Sequence, residues 1–191
     1  MKPIGIYGGT FDPIHHGHLI TAMEVKEMRE LDKIIFIPAH VSPHKQEKNC
    51  SSPDHRLAML KLAIEDINGL EYSDYELEQG DISYTFDTIR ELKNRYIDIE
   101  LIIGYDNLIK FDTWKNPQGI IDLATLVVLK RVTEQKTKNF HQFYAQAEFV
   151  NTPTVEISST QIREKVKEGL PIDFLVPNKV KEYIYSLGLY K

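Results

Sequence analysis

Apolar positions along the chain alternate between two rhythms. Ile4 and Ile6, within Pro3–Tyr7, read as a short strand; a glycine turn follows, and Leu19, Ala22, Val25 and Met28 then recur at helical spacing. Lys33–Pro38 is a second buried strand, and Ser52-Pro53 supplies a cap and a first-turn proline for a helix carrying Leu57, Leu60, Ile64 and Ile67. Further along, Leu70–Glu78 reads as a strand, Thr85–Arg95 as a helix, and Glu100–Ile103 and Thr125–Lys130 as strands, with a weaker strand at Val155–Ile157. Two helices close the pattern: Thr160–Glu168, capped by Ser159 and stopped by Gly169, and Asn178–Leu187, entered through Pro177 and ended by Gly188. Thr133–Ala147 is polar and unpatterned, and is expected to be a mobile loop.

Strands alternating with helices predict a doubly wound α/β architecture: a mainly parallel sheet, helices on both faces, and a helical C-terminal tail. No linker divides the chain, so residues 1–191 are expected to form one domain, with the helical part at about 158–191. In such sheets ligands sit beyond the carboxyl ends of the strands.

Composition narrows the partners. With 23 basic against 28 acidic residues the formal charge is −5, so the electrostatic footprint of a nucleic-acid binder is missing. No apolar run reaches the roughly 20 residues that span a bilayer. The single cysteine, Cys50, cannot form an internal disulfide and no charged, apolar leader opens the chain, which together suggest a cytoplasmic protein.

The chemistry is concentrated in Gly8-Gly9-Thr10-Phe11-Asp12-Pro13-Ile14-His15-His16-Gly17-His18, between the first strand and a helix expected to begin near His18. Glycines let backbone approach a ligand, and a helix start offers unpaired N–H groups at the positive end of its dipole, a natural phosphate site. The spacing matches neither a dinucleotide fingerprint nor a P-loop. His15 and His18 can each donate to a phosphate oxygen, and beside a polyphosphate their protonated forms are favoured. The cluster lacks the cysteines that would accompany a zinc site, so no protein-held metal is expected. Further on, Ser158 and Ser159 can cap an apolar helix, and Arg163, about one turn in, can share an anion with its N–H groups. Arg131 follows an apolar strand and so sits at a carboxyl strand end.

GGTFDPIHHGH resembles the signature of the nucleotidyltransferase superfamily with the HxGH motif, and Ile157-Ser158-Ser159-Thr160-Gln161-Ile162-Arg163 resembles its second signature, ISSTxxR. Between them, Ser42-Pro43-His44-Lys45, Ser83-Tyr84-Thr85-Phe86-Asp87-Thr88, Ile102-Ile103-Gly104-Tyr105-Asp106 and Trp114 resemble the bacterial nicotinate-mononucleotide adenylyltransferases in order and spacing. The resemblance implies a Rossmann-like fold and transfer of AMP from ATP, with Mg²⁺, to nicotinate mononucleotide. It makes His15, His18, Lys45 and Arg163 the catalytic set. ATP would lie against Gly8, Gly9, Thr10, Phe11, the two histidines, Arg131, Ser158, Ser159 and Arg163. The acceptor would meet Lys45, the helix start at Thr85, the ribose partner Asp106 and the ring platform Trp114.

The chain departs from the usual family pattern at Ala39, Tyr105, Lys115 and Val132-Thr133, mostly on the acceptor side. Rival readings are a relative that uses nicotinamide mononucleotide or phosphopantetheine as acceptor, and a nucleotide-binding module without catalysis. Homo-oligomerisation is left open.

Overall fold

The computed structural model describes residues 2–40, 50–80, 84–130 and 142–191. Among these, strands β1 (Ile4–Gly9), β2 (Ile34–Pro38), β3 (Leu70–Tyr72), β4 (Ile99–Gly104), β5 (Thr125–Lys130) and β6 (Glu148–Asn151) form one sheet. The order is β3-β2-β1-β4-β5-β6 and every pairing is parallel. The helices are α1 (His16–Met28), α2 (Pro53–Ile64), α3 (Tyr75–Gln79), α4 (Thr85–Leu92), α5 (Tyr105–Ile109), α6 (Pro117–Leu123), α7 (Ser159–Lys167) and α8 (Asn178–Ser186).

Alternation along the strands divides the interior in two. Ile34, Phe36 and Ile102 face one core with Val25 of α1, Leu60 of α2, Ile162 of α7 and Ile184 of α8. Ile35, Ile37, Leu101 and Ile103 face the other with Ile89 of α4, Leu108 of α5 and Ile120 of α6. Period-2 side-chain direction on a sheet covered on both faces requires this continuous apolar run in β2 and β4. The chain winds outward from β1 through β2 to β3 and then returns to β4 on the other side of β1. The carboxyl ends of β1 and β4 are therefore the switch point where a crevice opens.

Several expected boundaries shift. Leu70–Glu78 is not one strand: β3 stops at Tyr72, and α3 follows, with the Leu77 N–H bonded to the Asp74 carbonyl at 2.9 Å. Ser73 and Asp74 offer the turn chemistry that ends the ladder. Val155–Ile157 is not a strand; the sixth strand is β6, upstream, and Pro153 lacks the donor needed to extend it. Helix α1 begins at His16 rather than near His18, α2 ends before Ile67, and α7 is capped by Ser158 rather than Ser159. Most of the expected loop Thr133–Ala147 lies outside the described residues; its end contains a short 3₁₀ helix, Gln142–Gln146. No helix of the described residues is long and apolar enough to cross a membrane.

Candidate active site

The loop from Gly8 to His15 leaves the central strand and turns into α1, with His15 as the N-cap in extended geometry. Its shape is set by rings. Phe11 is buried at φ 51°, its edge against His18 at 5.1 Å and against Phe36 at 5.5 Å. A Cβ on Gly9 would stand 2.8 Å from that ring, which is why the loop needs glycine there. Thus Phe11 acts as a wedge under the loop and presents no side chain to the crevice.

The His15 backbone N–H donates to Nδ1 of His18 at 3.3 Å, and the two imidazoles stack with centroids 3.7 Å apart and planes 24° from parallel. With Nδ1 of His18 accepting, the ring proton is assigned to Nε2. His15 is buried, and burial, aided by the nearby His16 charge, lowers its pKa to about 4. It is therefore neutral near pH 7 in the unliganded protein. Among the described residues nothing bonds its buried Nδ1. A Cβ on Gly17 would meet that nitrogen at 3.0 Å, so the small residue between the histidines makes room for the ring.

The second signature docks directly on the first. Ser158 caps α7 by accepting the Gln161 N–H at 3.1 Å, while Ser159 Oγ donates to the Pro13 carbonyl at 2.9 Å. Arg163 Nη1 donates to the Asp12 carbonyl at 2.8 Å, and Nη2 to Thr160 Oγ1 at 3.3 Å. Two segments about 150 residues apart in sequence therefore meet at the same loop as His15 and His18, with the guanidinium beside the start of α1.

Sequence reading missed Arg56. It is 1% exposed on α2, and its guanidinium donates to the carbonyls of Thr10 (2.9 Å), Ala39 (2.7 Å), His40 (3.2 Å) and Ser51 (3.2 Å). It ties the glycine loop to the end of β2. The signal was present: Arg56 shares a face with Met59, Leu60 and Ala63, and an arginine on an apolar stripe must find acceptors inside.

On the other side of the β1 end lies a cavity of about 210 Å³. Gly8, Gly9 and Thr10 form one wall; Thr85, Trp114 and Glu76 stand around the rest. Thr85 is the first residue of α4, so its end of the cavity receives helix N–H groups. Trp114 leans on Phe111 with centroids 5.2 Å apart, and the buried Glu76 accepts from Thr88 Oγ1 at 2.7 Å. The volume suits one heterocycle rather than a complete nucleotide, since sites for drug-sized ligands run to roughly 300–1,000 Å³. Asp106 is exposed and lies outside the lining, whereas its neighbour Asn107 lines the cavity. Of the departures from the family pattern, Ala39 lines the cavity, Tyr105 is buried in the core, and Lys115 bonds Asp87 at 2.7 Å. Lys45, Arg131 and Val132-Thr133 lie outside the described residues.

Comparison with known proteins places the chain in a family. Residues 6–165 match the family model described as cytidylyltransferase-like. A Borrelia turicatae protein named "Probable nicotinate-nucleotide adenylyltransferase" is 42% identical over 190 residues, 98% of this chain and 97% of its own. A Bacillus licheniformis protein of the same name is 40% identical over 193 residues, the full length of both. The solved structure of Plasmodium falciparum nicotinic acid mononucleotide adenylyltransferase complexed with NaAD shares the fold, with a TM-score of 0.79 at 20% identity over 100% of this chain and 98% of that one.

Proposed function

Because the chain belongs to the cytidylyltransferase-like family, we infer that it is a nicotinate-nucleotide adenylyltransferase, a single domain that joins ATP and nicotinate mononucleotide. An oxygen of the mononucleotide's 5′-phosphate attacks the α-phosphorus of ATP. The new P–O bond forms as the bond to the β-phosphate oxygen breaks, giving nicotinate adenine dinucleotide and pyrophosphate. Nucleophile and leaving group are both phosphates with low proton affinity, so the protein must align them and neutralise charge rather than supply a general base.

The observation that carries this reading is the junction of the two signatures, where Arg163 and Ser159 bond the carbonyls of Asp12 and Pro13. It supports one phosphate corner holding the triphosphate between His15, His18 and Arg163, with Gly8–Phe11 backbone, Ser158 and Ser159 beside it. His18 is proposed as a phosphate donor through Nε2; His15 enters neutral and gains a proton more readily once polyphosphate replaces water. Lys45 and Arg131 are proposed as further phosphate contacts. The cavity beyond Gly8–Thr10 takes the pyridine ring against Trp114, with its carboxylate at the Thr85 end of α4. Asp106, or Asn107 from the cavity wall, would serve the ribose.

Among the described residues no three acidic, histidine or cysteine side chains converge on a metal site. The donors at the corner are imidazole and guanidinium, which do not suit a hard dication, so Mg²⁺ is proposed to arrive on the triphosphate oxygens and to neutralise charge there. The cytoplasm, with its ATP and reduced thiols, is the proposed compartment.

The test is pyrophosphate release from Mg²⁺–ATP, followed with and without each mononucleotide. Release that requires an acceptor, runs faster with nicotinate than with nicotinamide mononucleotide, and yields the dinucleotide by mass supports the assignment. ATP binding without turnover would replace it with a nucleotide-binding module.

A further inference from the structure

The segment after α8 turns back into the protein. Gly188 at φ 63° and Tyr190 at φ 66° reverse the chain, the Leu189 N–H bonds the Ile184 carbonyl at 3.0 Å, and Leu189 and Tyr190 pack on the core shared by α1, α2, α7 and α8. A non-glycine residue holds a left-handed conformation only where its surroundings fix it. Here the surroundings are the transfer loop: Tyr190 OH donates to Asp12 Oδ1 at 2.6 Å and touches Met59 Sδ at 3.8 Å.

Asp12 is 1% exposed, and both its oxygens are engaged, the second by the Ser51 N–H at 3.0 Å. Its own carbonyl takes the Arg163 bond. One buried carboxylate thus joins the segment after α8, the approach to α2, and the loop that leads to His15 and His18. Burial first, and then the Asp12 charge, hold the Tyr190 phenol above its ordinary range, so it remains a donor.

We propose that Tyr190 is a positioning residue for the transfer step, acting through the Asp12 carboxylate to hold the histidine loop in register with Arg163. The proposal rests on the adenylyltransferase reading for its kinetic consequence but not for its structural one. Tyr190→Phe keeps the ring and removes only the donor, leaving a buried carboxylate oxygen unsatisfied. Because the part of the loop that Asp12 anchors leads to the phosphate-binding histidines, and only its Gly8–Thr10 end walls the ring pocket, kcat falls about tenfold while KM for the pyridine mononucleotide stays within about twofold.

Two readings decide the matter. In hydrogen exchange, the peptide covering residues 10–18 of Tyr190→Phe opens faster while peptides of β4, β5 and α4 are unchanged. In a double-mutant cycle with Asp12→Asn, the second change adds almost nothing to the first. Normal kcat with normal exchange overturns the proposal, as do additive losses or faster exchange spread evenly over the molecule. If Tyr190→Phe does not fold, the same kinetics and exchange on Asp12→Asn decide, and an unaltered loop there overturns it. Wild-type protein without acceptor-dependent pyrophosphate release would overturn the functional reading instead, with the exchange comparison still testing the contact.

Discussion

The phosphate corner and the ring pocket share the wall formed by Gly8–Thr10, yet they are built by different means. In the corner, side chains of Arg56, Ser159 and Arg163 bond main-chain carbonyls of residues 10, 12 and 13, so the loop's path is fixed from α2 and α7 at once. In the pocket, single side chains from α3, α4 and the segment after α5 converge. On the proposed function, the corner would do one reaction on any acceptor, and the pocket would decide which acceptor is offered.

That division predicts its largest effect at His18. Removing a donor placed on developing phosphate charge typically costs about 2.7–4 kcal/mol, so His18→Ala should lower kcat about a hundredfold or more with nicotinate and nicotinamide mononucleotides alike. Its ring is half-buried and its contacts with His15 and Phe11 are confined to the loop, so the circular dichroism spectrum should be unchanged. A loss confined to one acceptor would merge the two regions into one.

The second effect is carried by pH. The folded protein keeps His15 neutral down to about 4, while the unfolded chain takes the proton near the ordinary histidine value of 6.5. The unfolded state therefore binds more protons between those values, and stability declines as pH falls through that window. At about 1.4 kcal/mol per pKa unit the contribution reaches about 3 kcal/mol by pH 4. Urea unfolding of the wild type and His15→Gln at pH 7 and pH 4 should show the variant losing less by roughly that amount. Equal losses would mean that the corner stores no such strain, and that it differs from the pocket only in shape.

The same contrast explains what could be read in advance. The corner was legible because its parts lie in two contiguous stretches: a glycine loop with histidines, and a capped helix with an arginine. Even there the pattern points to Ser159 as the cap, since either serine can cap, and only the packed loop shows that Ser158 caps while Ser159 bonds Pro13. Arg56 was passed over, although its position on the apolar stripe of α2 marked it as buried. The pocket was less legible. Glu76 and Asn107 come from segments where local pattern is weak, one of them in a stretch that reads as strand by composition and becomes helix by turn chemistry. Tyr190 carried no signal at all, because its role depends on a contact 178 residues away in sequence. The sheet itself was readable from alternation; its sixth strand was misplaced because Val155–Ile157 has the more β-like composition, whereas Glu148–Asn151 has the partner.

Within the pocket, the expected change is in binding. Trp114→Ala removes the only tryptophan and its ring face, and stacking of a heterocycle is worth about 1–3 kcal/mol, so KM for nicotinate mononucleotide should rise about tenfold. If the phosphate groups are held at the corner, as proposed, kcat should stay within about threefold and KM for ATP within about twofold. Steady-state kinetics with each substrate varied in turn checks this. A kcat loss as large as that of His18→Ala would show that the ring pocket aligns the reacting phosphates, not just the acceptor's base.

The smallest effect is expected where the chain departs most visibly from its relatives' pattern. Lys115 lines the cavity, but its ammonium sits 2.7 Å from Asp87 and 4.4 Å over the Tyr84 ring, with the side chain 47% exposed. Exposed pairs contribute about 0–1 kcal/mol and are screened by salt. A cation so engaged has little left to offer a nicotinate carboxylate, and the helix N–H groups at Thr85 already supply a directional partner. Lys115→Ala should therefore change the ratio of kcat/KM for nicotinate over nicotinamide mononucleotide by less than about threefold, with the difference fading at high salt. A tenfold fall in that ratio would make Lys115 the carboxylate's reader and would move selectivity from the helix end to a side chain.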